Sequence, residues 1–351
     1  MAKKRVLVIG TGGTIAAKMH DRVWRSGEVA IKTLLRYDPR VHMVAELESL
    51  DLFKMDSSNL QPENWITLAE KIKEKYTSYD GFIITHGTDT MHYTASALSF
   101  LLQNLSKSVI LTGSQVPPDK ISSDASRNLL DSLRVATEKD MHEVLVVFNG
   151  KIIRGNRAKK FRELEFDAFD SIGMLPLGVI EHDIRVTGEH YNNTNTDKGL
   201  KFFGKLEKNV CILKITPGFN PKIISWFIAN GYKGIVLEGF GAGNVPIGEN
   251  SLIPEIKKAV KAGVPVVVSS QCAIGFSWMS LYECGKRALD AGAIPGYDMI
   301  SETAMTKLMW ILGNYPKANM EQIRWLFLKD VVGEISKLHA PEGKRIWEYA
   351  L

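Results

Sequence analysis

The sequence is poor in cysteine, has no long apolar run and carries no strong charge of either sign. Its 351 residues include only Cys211, Cys272 and Cys284, with no C-x-x-C pair. This usage excludes a disulfide scaffold and favours a reducing compartment with buried thiols. The N-terminal apolar run, Val6–Ile9, is too short for a signal-peptide core, and no run approaches the roughly 18 residues needed to span a bilayer. A cytoplasmic protein without membrane association is expected.

The charge balance is also modest. The 44 basic and 39 acidic residues leave a net charge of +5, which is too small for this length to indicate a nucleic-acid partner. Hydrophobic residues make up 45% of the chain, enough for a sizeable core. The length is about twice that of a usual single domain and predicts two domains.

Short β-rich runs alternate with helical patterns in the first half of the chain. The runs are Val6–Ile9, Phe82–Thr85, Val109–Thr112 and Val144–Phe148, and Pro62–Tyr76 shows helical spacing of its apolar residues. This alternation predicts an α/β fold, with an N-terminal doubly wound, mostly parallel sheet domain. Sites in such folds form in the loops after the strands.

The pattern fails around residue 189, where the sequence becomes polar and rich in turn residues. We predict an N-terminal catalytic domain over residues 1–188, a linker over 189–206 and a smaller C-terminal α/β domain over 207–351. The expected elements of the second domain are strands at Val210–Ile215, Ile235–Leu237 and Val264–Val268 and helices near Thr303–Leu312 and Met320–Asp330.

The first strand runs into a glycine-rich segment, Gly10–Ile15. A dinucleotide-binding fingerprint needs a third glycine where Ile15 stands, so a nicotinamide cofactor is only a minor alternative. Gly12 and Gly13 would let the backbone approach a small ligand, and Thr14 would place a hydroxyl beside it. A purely structural turn is an equal interpretation of this segment alone.

The second strand runs into Thr85–Thr90, where hydroxyls and one carboxylate lie together. Asp89 could be a buried anion that holds an ammonium group. The alternative is that these side chains cap a helix beginning near Met91. His86 and His92 are expected to pack or to form hydrogen bonds, because no further ligand spacing completes a metal site.

Three further segments allow two interpretations each. Asp56–Asn59, which follows an expected helix break at Met55, and Gly113–Gln115 have turn compositions and matter only if they converge. Arg154–Arg162 holds five basic residues in nine, which is either a nucleic-acid patch or, more simply, a solvated loop with one lysine turned inward as a proton shuttle. Glu238–Asn244 is either a plain turn or a close backbone approach to a ligand or subunit.

Taken together, these segments resemble the bacterial-type L-asparaginases, in particular their cytosolic type I branch. The matching segments occur in order along nearly the whole chain: Thr11–Ala16, Asp56–Ser58, Asp80–Thr90, Tyr93–Phe100, Leu111–Gln115, Arg154–Arg157, Gly241–Asn244, Ser270–Cys272 and Thr306–Trp310.

The resemblance implies a complete set of site residues. Thr14 would be the nucleophile, and Thr88, Asp89 and Lys160 would form the second catalytic group. The substrate would be bound by Ser57 and Ser58 at its α-carboxylate, by Asp89 at its α-ammonium, and also by Thr88, Ser114 and an Asn244 from a neighbouring subunit. The resemblance also implies a homodimer or homotetramer, and neither a metal nor an organic cofactor is needed.

The chain departs from the family pattern at two places. The family has a tyrosine on the mobile loop after the first strand, where this chain has Trp24, which can cover the pocket but cannot relay an oxygen-bound proton. Some type I members have an allosteric asparagine site; Glu238 replaces its arginine and Lys159 replaces one of its threonines. Cooperative control of that design is therefore not expected.

The leading functional hypothesis is an L-asparagine amidohydrolase that uses a threonine acyl-enzyme, with backbone N–H groups near Gly13 and Thr88 as oxyanion donors. One rival is the amidase subunit of a tRNA-dependent amidotransferase, which carries an extra domain before its Thr-Gly-Gly-Thr segment. Another is a non-catalytic asparagine-binding sensor on the same fold. Nucleic-acid binding by the basic run is not expected.

Overall fold

The computed structural model describes residues 3–21, 23–138, 141–187 and 199–336. The chain divides into two compact units, one of Met1–Ser171 and Leu175–Gly204 and the other of Ile172–Met174 and Lys205–Leu351. Residues 189–198 of the predicted linker lie outside the described residues. The predicted domain boundaries stay a prediction.

The first unit contains the strands that build the larger sheet and several short hairpins. These strands are β1 (Arg5–Gly12), β2 (Lys18–His20), β3 (Val23–Arg25), β4 (Glu46–Met55), β5 (Gly81–Thr85), β6 (Leu102–Gln103), β7 (Val109–Thr112), β8 (Val144–Phe148), β9 (Lys151–Arg154), β10 (Ala158–Lys160), β11 (Phe169–Ser171), β12 (Gly178–Ile180), β13 (Ile184–Val186) and β14 (Lys201–Phe202). Its helices are α1 (Ile31–Tyr37), α2 (Val41–Val44), α3 (Pro62–Lys75), α4 (Met91–Leu101) and α5 (Ala125–Ala136).

The larger sheet has the strand order β13-β12-β9-β8-β7-β5-β1-β4. The five neighbouring strands β8, β7, β5, β1 and β4 pair in parallel. Strands β9, β12 and β13 extend the β8 edge by antiparallel pairing. Helices α4 and α5 both contact β7 and β8, and every residue of β5, β7 and β8 is buried, as in a sheet with both faces covered. The predicted doubly wound, mostly parallel domain is confirmed.

The central strands form where they do because their sequences are apolar without alternation. Residues 6–12 of β1 and all of β5, β7 and β8 are buried, as expected for strands with helices on both faces. The edge strand β4 instead has only exposed and partly buried positions. The expected helix before Met55 was wrong, because these residues pair with β1 as a parallel strand.

The second unit is built on a smaller, wholly parallel sheet of order β15-β16-β17-β18. Its strands are β15 (Val210–Lys214), β16 (Gly234–Gly239), β17 (Val266–Ser270) and β18 (Ile294–Pro295), and its helices are α6 (Lys222–Ala229), α7 (Ile253–Lys261), α8 (Glu283–Asp290), α9 (Ser301–Asn314) and α10 (Met320–Leu328). The predicted smaller α/β domain is confirmed.

A buried ionic cluster joins α9 to the segment after α10. The Lys307 Nζ lies 2.5 Å from Glu334 Oε1, and neither side chain has any exposed surface. The same Nζ donates to the Lys329 carbonyl at 2.6 Å, and Glu334 accepts from the backbone N–H groups of Val331 and Val332. All of these polar contacts are made within the second unit.

The cysteines depart from the expectation of buried thiols. Cys272 is exposed, and Cys211 and Cys284 are partly buried. All three are free thiols. Burial raises the pKa of Cys211 to about 12, so this thiol stays protonated and unreactive at neutral pH.

Candidate active site at the carboxyl edge of the larger sheet

The segments that follow β1, β4 and β5 meet at the carboxyl edge of the sheet. A Cβ on Gly13 would lie 2.2 Å from the Gly87 nitrogen, and a Cβ on Gly87 would lie 2.6 Å from Ser57 Oγ. Gly13 also has a φ of +79°, which favours glycine. The predicted convergence of Thr14, Ser57 and Thr88 therefore follows from backbone packing, because each is adjacent to or part of this contact.

The glycines after β1 serve chain packing as well as the site. The Gly13 N–H donates to the Met55 carbonyl at 3.2 Å, and a Cβ on Gly12 would lie 2.1 Å from the same oxygen. The Gly13 N–H is thus directed at the Met55 carbonyl, and an oxyanion donor near Gly13 stays a prediction. Thr14, the next residue, begins a single 3-10 turn and is partly exposed.

Lys160 links the two candidate catalytic residues of the segment after β5. Its Nζ donates to Thr88 Oγ1 at 2.8 Å and to Asp89 Oδ1 at 2.6 Å. The Lys160 side chain is 14% exposed, and Thr88 is buried. Lys160 lies 71 residues beyond Asp89 along the chain, and the hairpin of β10 and β11, which packs on α4, places it there.

Asp89 is not the buried anion that the sequence suggested. Its side chain is 64% exposed, and Oδ1 accepts from Lys160. The capping alternative is also wrong, because the residue that caps α4 is Thr90, whose side chain makes no capping bond and instead donates to the Ser57 carbonyl at 2.7 Å. The polar side chains after β5 thus bind groups outside their own helix.

The loop after β4 is held by Asp56, which the sequence analysis did not single out. Asp56 Oδ1 accepts from the backbone N–H of Ser58 at 2.9 Å and from its hydroxyl at 2.6 Å, and Oδ2 accepts from Ser26 Oγ at 2.9 Å. The hydrogen bond from the Ser58 hydroxyl is the main cause that lowers the pKa of Asp56. An aspartate side chain that accepts from the backbone two residues later forms an Asx turn, so the spacing of Asp56 and Ser58 could have revealed this role of Asp56.

The loop after β7 adds Ser114 to the same edge. A Cβ on the preceding Gly113 would lie 2.4 Å from the His86 carbonyl oxygen, so this loop touches the end of β5. Ser114 is fully buried, and its Oγ has no hydrogen-bond partner. An unsatisfied buried hydroxyl is costly, which makes Ser114 Oγ a candidate ligand-binding group.

His86 forms hydrogen bonds through both ring nitrogens, as predicted. It has no exposed surface, and its Nδ1 lies 2.7 Å from the Gly87 carbonyl oxygen and its Nε2 2.8 Å from Thr94 Oγ1. Burial lowers the pKa of His86 to about 4. The ring of His92 packs against Tyr93 and Phe169. Among the described residues, no group of three His, Cys, Asp or Glu side chains could hold a metal ion.

Trp24 lies on the small hairpin of β2 and β3, where it pairs with Met19. It is 37% exposed, and the Lys120 ammonium stands 5.2 Å from its ring centroid. Ser26, just after this hairpin, is the residue bound to Asp56. The hairpin is thus tied at its base to the loop that carries Ser57 and Ser58.

The basic run is not a solvated loop. Arg157 is fully buried, and Arg154 forms a buried ion pair with Glu143 at 2.6 Å. Lys160 turns toward Thr88 and Asp89, as expected for one inward lysine. Three of the five basic residues of the run are thus used inside the fold.

Asn244 belongs to the second unit. It closes a tight turn after β16, where its backbone N–H and carbonyl pair with Phe240 at 2.8 and 2.9 Å. The buried Asn244 Oδ1 has no hydrogen-bond partner. In the same region Glu238 lies at the end of β16 and its carbonyl accepts from Gln271. A role for Asn244 in a neighbouring subunit stays a prediction.

Comparison with known proteins gives one consistent family. Residues 5–192 match "Asparaginase, N-terminal" and residues 209–327 match "Glutaminase/Asparaginase C-terminal domain". Among the solved structures, the thermostable L-asparaginase from Thermococcus kodakarensis superposes with a TM-score of 0.87 at 35% identity, covering 95% of this chain and 99% of that chain.

Two further matches bear on the type of family member. L-asparaginase I from Vibrio cholerae superposes with a TM-score of 0.84 at 34% identity, covering 95% of this chain and 100% of that chain. A glutamyl-tRNA(Gln) amidotransferase subunit from Pyrococcus abyssi is 38% identical over 345 residues, which is 94% of this chain and 76% of that protein. In the described part of this chain, no helix is both long and apolar enough to cross a membrane.

Proposed function

This chain belongs to the asparaginase family, and we propose that it is an L-asparagine amidohydrolase that works through an ester on Thr14. The observation that carries the proposal is the hydrogen-bonded group of Lys160, Thr88 and Asp89. It lies beside the glycine contact that also fixes Thr14 and Ser57. The match to an L-asparaginase over 99% of that chain supports the same activity.

The first step is attack by the Thr14 hydroxyl on the side-chain amide carbon of asparagine. A threonine hydroxyl is inert at neutral pH unless a base removes its proton. Thr88 Oγ1 can accept that proton while passing its own to a neutral Lys160, since their atoms are already 2.8 Å apart. The proton then goes to the leaving amine, ammonia departs, and the β-aspartyl ester remains on Thr14.

The second step is hydrolysis of that ester by water, which returns the proton to Thr14 and releases aspartate. Both steps pass through a tetrahedral oxyanion that needs hydrogen-bond donors. Backbone N–H groups near Gly13 and Thr88 are the proposed donors, and the Gly13 N–H itself already donates to the Met55 carbonyl. One such donor typically contributes roughly 3 kcal/mol to transition-state stabilisation.

Substrate orientation comes from groups at both ends of asparagine. Asp89 would accept from the α-ammonium group, because its carboxylate is largely exposed beyond the Lys160 contact. Ser57 would donate to the α-carboxylate of the substrate. The Ser58 hydroxyl already donates to Asp56, so the α-carboxylate would have to compete with Asp56 for this hydrogen. Ser114 Oγ would satisfy its hydrogen-bonding potential on the substrate.

Trp24 would close the pocket where other family members use a tyrosine. Because its ring carries no hydroxyl, Thr14 activation is proposed to depend on Thr88 and Lys160 alone. Asn244 would complete the pocket from a neighbouring subunit in a homodimer or homotetramer. A cytoplasmic location, with neither a metal nor an organic cofactor, completes the proposal.

The second candidate function is the amidase subunit of a tRNA-dependent amidotransferase, favoured by the 38% identity to the amidotransferase protein of Pyrococcus abyssi. The same residues would release ammonia in that case. The two functions differ in what the purified chain does alone. An L-asparaginase turns over asparagine freely, whereas an amidotransferase subunit would need its partner and tRNA to reach its full rate.

The test measures ammonia released from asparagine and from glutamine by the purified chain, and repeats this with Thr14→Ala. Activity that Thr14→Ala abolishes, with a mass shift on Thr14 in acid-quenched mixtures, would support the proposal. An equally active Thr14→Ala would refute it. Tight asparagine binding by calorimetry without turnover would instead indicate a sensor.

A further inference from the structure

His86 is the one fully buried histidine at the carboxyl edge of the larger sheet in the described chain, and the proposed reaction does not use it. Its backbone N–H donates to the Thr112 carbonyl at 2.8 Å, which fixes the residue between β5 and β7. Its ring bridges the Gly87 carbonyl and the Thr94 hydroxyl of α4. The ring therefore connects the helix to the peptide that precedes Thr88.

The two contacts define the protonation of the ring. The Gly87 carbonyl can only accept a hydrogen bond, so Nδ1 must carry the proton and donate at 2.7 Å. Nε2 is then unprotonated and accepts from the Thr94 hydroxyl at 2.8 Å. Because burial lowers the pKa of His86 to about 4, the ring keeps this neutral form across the neutral pH range.

The hydrogen bond to Gly87 also sets the direction of the next N–H. The Gly87–Thr88 peptide is trans, since the described chain has no cis peptide bond. In a trans peptide the carbonyl and the following N–H point in opposite directions. Holding the Gly87 carbonyl toward the ring therefore turns the Thr88 N–H to the side away from His86.

Gly87 needs such a restraint because it has no side chain of its own. Its backbone packs against Gly13 and Ser57, where no Cβ could fit, so this packing restricts the position of Gly87. Glycine backbones rotate more freely than those of other residues. The His86 Nδ1–H, which is fixed in the core and donates to the Gly87 carbonyl, removes that freedom.

We infer that His86 is a positioning residue that aims the Thr88 N–H at the oxyanion formed when Thr14 attacks the amide. This inference rests on the proposed function. It predicts that loss of the Nδ1 donor lowers kcat and leaves KM nearly unchanged, because the oxyanion exists only in the transition state and intermediate.

The main test compares His86→Leu, which has no donor, with His86→Asn, whose amide nitrogen can take the place of Nδ1. His86→Leu should lower kcat about 10- to 100-fold, with KM changed by less than about threefold, since a donor that is misplaced but still present costs up to about 100-fold in rate. His86→Asn should recover most of the loss. Leu98→Ala is the matched control, since Leu98 is equally buried on α4 and makes none of these hydrogen bonds.

The outcomes distinguish a failure of the proposed function from a failure of the role of His86. If the native chain releases no ammonia, the proposed function fails. If it does, a folded His86→Leu with native kcat, or a loss that Leu98→Ala reproduces at equal melting temperature, overturns the role of His86. Should His86→Leu not fold, Thr94→Val decides: it removes the hydroxyl that holds Nε2, and an unchanged kcat in that variant contradicts the inference.

Discussion

The buried pair of Lys307 and Glu334 gives the sharpest prediction about stability. Lys307→Met removes the ammonium but fills a similar volume. Glu334 would keep its hydrogen bonds from Val331 and Val332, yet it would lose the cation that offsets its burial. Removing one partner of a fully buried ion pair typically costs about 3–5 kcal/mol.

The size of this loss should depend on pH. Burial raises the pKa of Glu334, but the Lys307 ammonium beside it and the hydrogen bond with Asp330 lower it below its ordinary value. Without Lys307 the effect of burial outweighs the remaining hydrogen bonds and raises the pKa of Glu334. Glu334 would then bind a proton in the folded state. The cost should then be small near pH 5 and largest near pH 8.

The assay is thermal unfolding followed by tryptophan fluorescence, to which Trp310 and Trp325 of the second unit contribute. A unit of this size loses roughly 2–4 °C per kcal/mol, so Lys307→Met should lower the melting temperature by about 10 °C at pH 8. The double variant Lys307→Met, Glu334→Gln should recover most of it. A loss below about 3 °C at pH 8, or an equal loss at pH 5, would refute the reasoning.

Three further predictions follow from single residues. Burial, and next the Glu334 carboxylate, raise the pKa of Asp330 to about 7. The free energy of unfolding should therefore be highest below the unfolded pKa of Asp330, about 4, and should fall as the pH rises to 7. Asp330→Asn should stabilise the protein by as much as about 4 kcal/mol at pH 8.5 and not at pH 4, measured by urea unfolding. Gly13→Ala should abolish activity and lower the melting temperature, because the new Cβ would lie 2.2 Å from the Gly87 nitrogen. The control is Gly218→Ala: Gly218 has a similar positive φ, but a Cβ there would have no atom within 4 Å, so this variant should lose only about 1–2 kcal/mol of stability. Lys160→Met should lower kcat about 100- to 10,000-fold while asparagine still binds by calorimetry, and a native rate in that variant would exclude the proton relay.

The fold was predictable where sequence pattern and burial agree. The runs at Val109–Thr112 and Val144–Phe148 are strands with the predicted bounds, because strands covered on both faces read as continuous apolar segments. The edge strand β4 was missed, since none of its residues is fully buried and its exposed and partly buried positions follow no regular alternation. Edge pairing depends on a neighbour that local sequence does not reveal.

The site was predictable in residue type but not in environment. The family resemblance named Lys160 and Asp89, and the structure places their side chains in contact. It did not reveal that Asp89 is exposed or that Arg157 is buried, because both depend on how the hairpin of β10 and β11 packs on α4. Such long-range packing leaves no local trace in the sequence.

The contact between Gly13 and Gly87 has a consequence for protein engineering. Two backbones that meet without side chains offer nothing that mutation could trim or enlarge, so libraries that aim to widen the substrate range gain nothing there. Variation has to come from other positions, such as the buried Ser114 and the hairpin that carries Trp24. A shift from asparagine toward a longer amide would therefore be selected at these positions, while the two glycines stay unchanged.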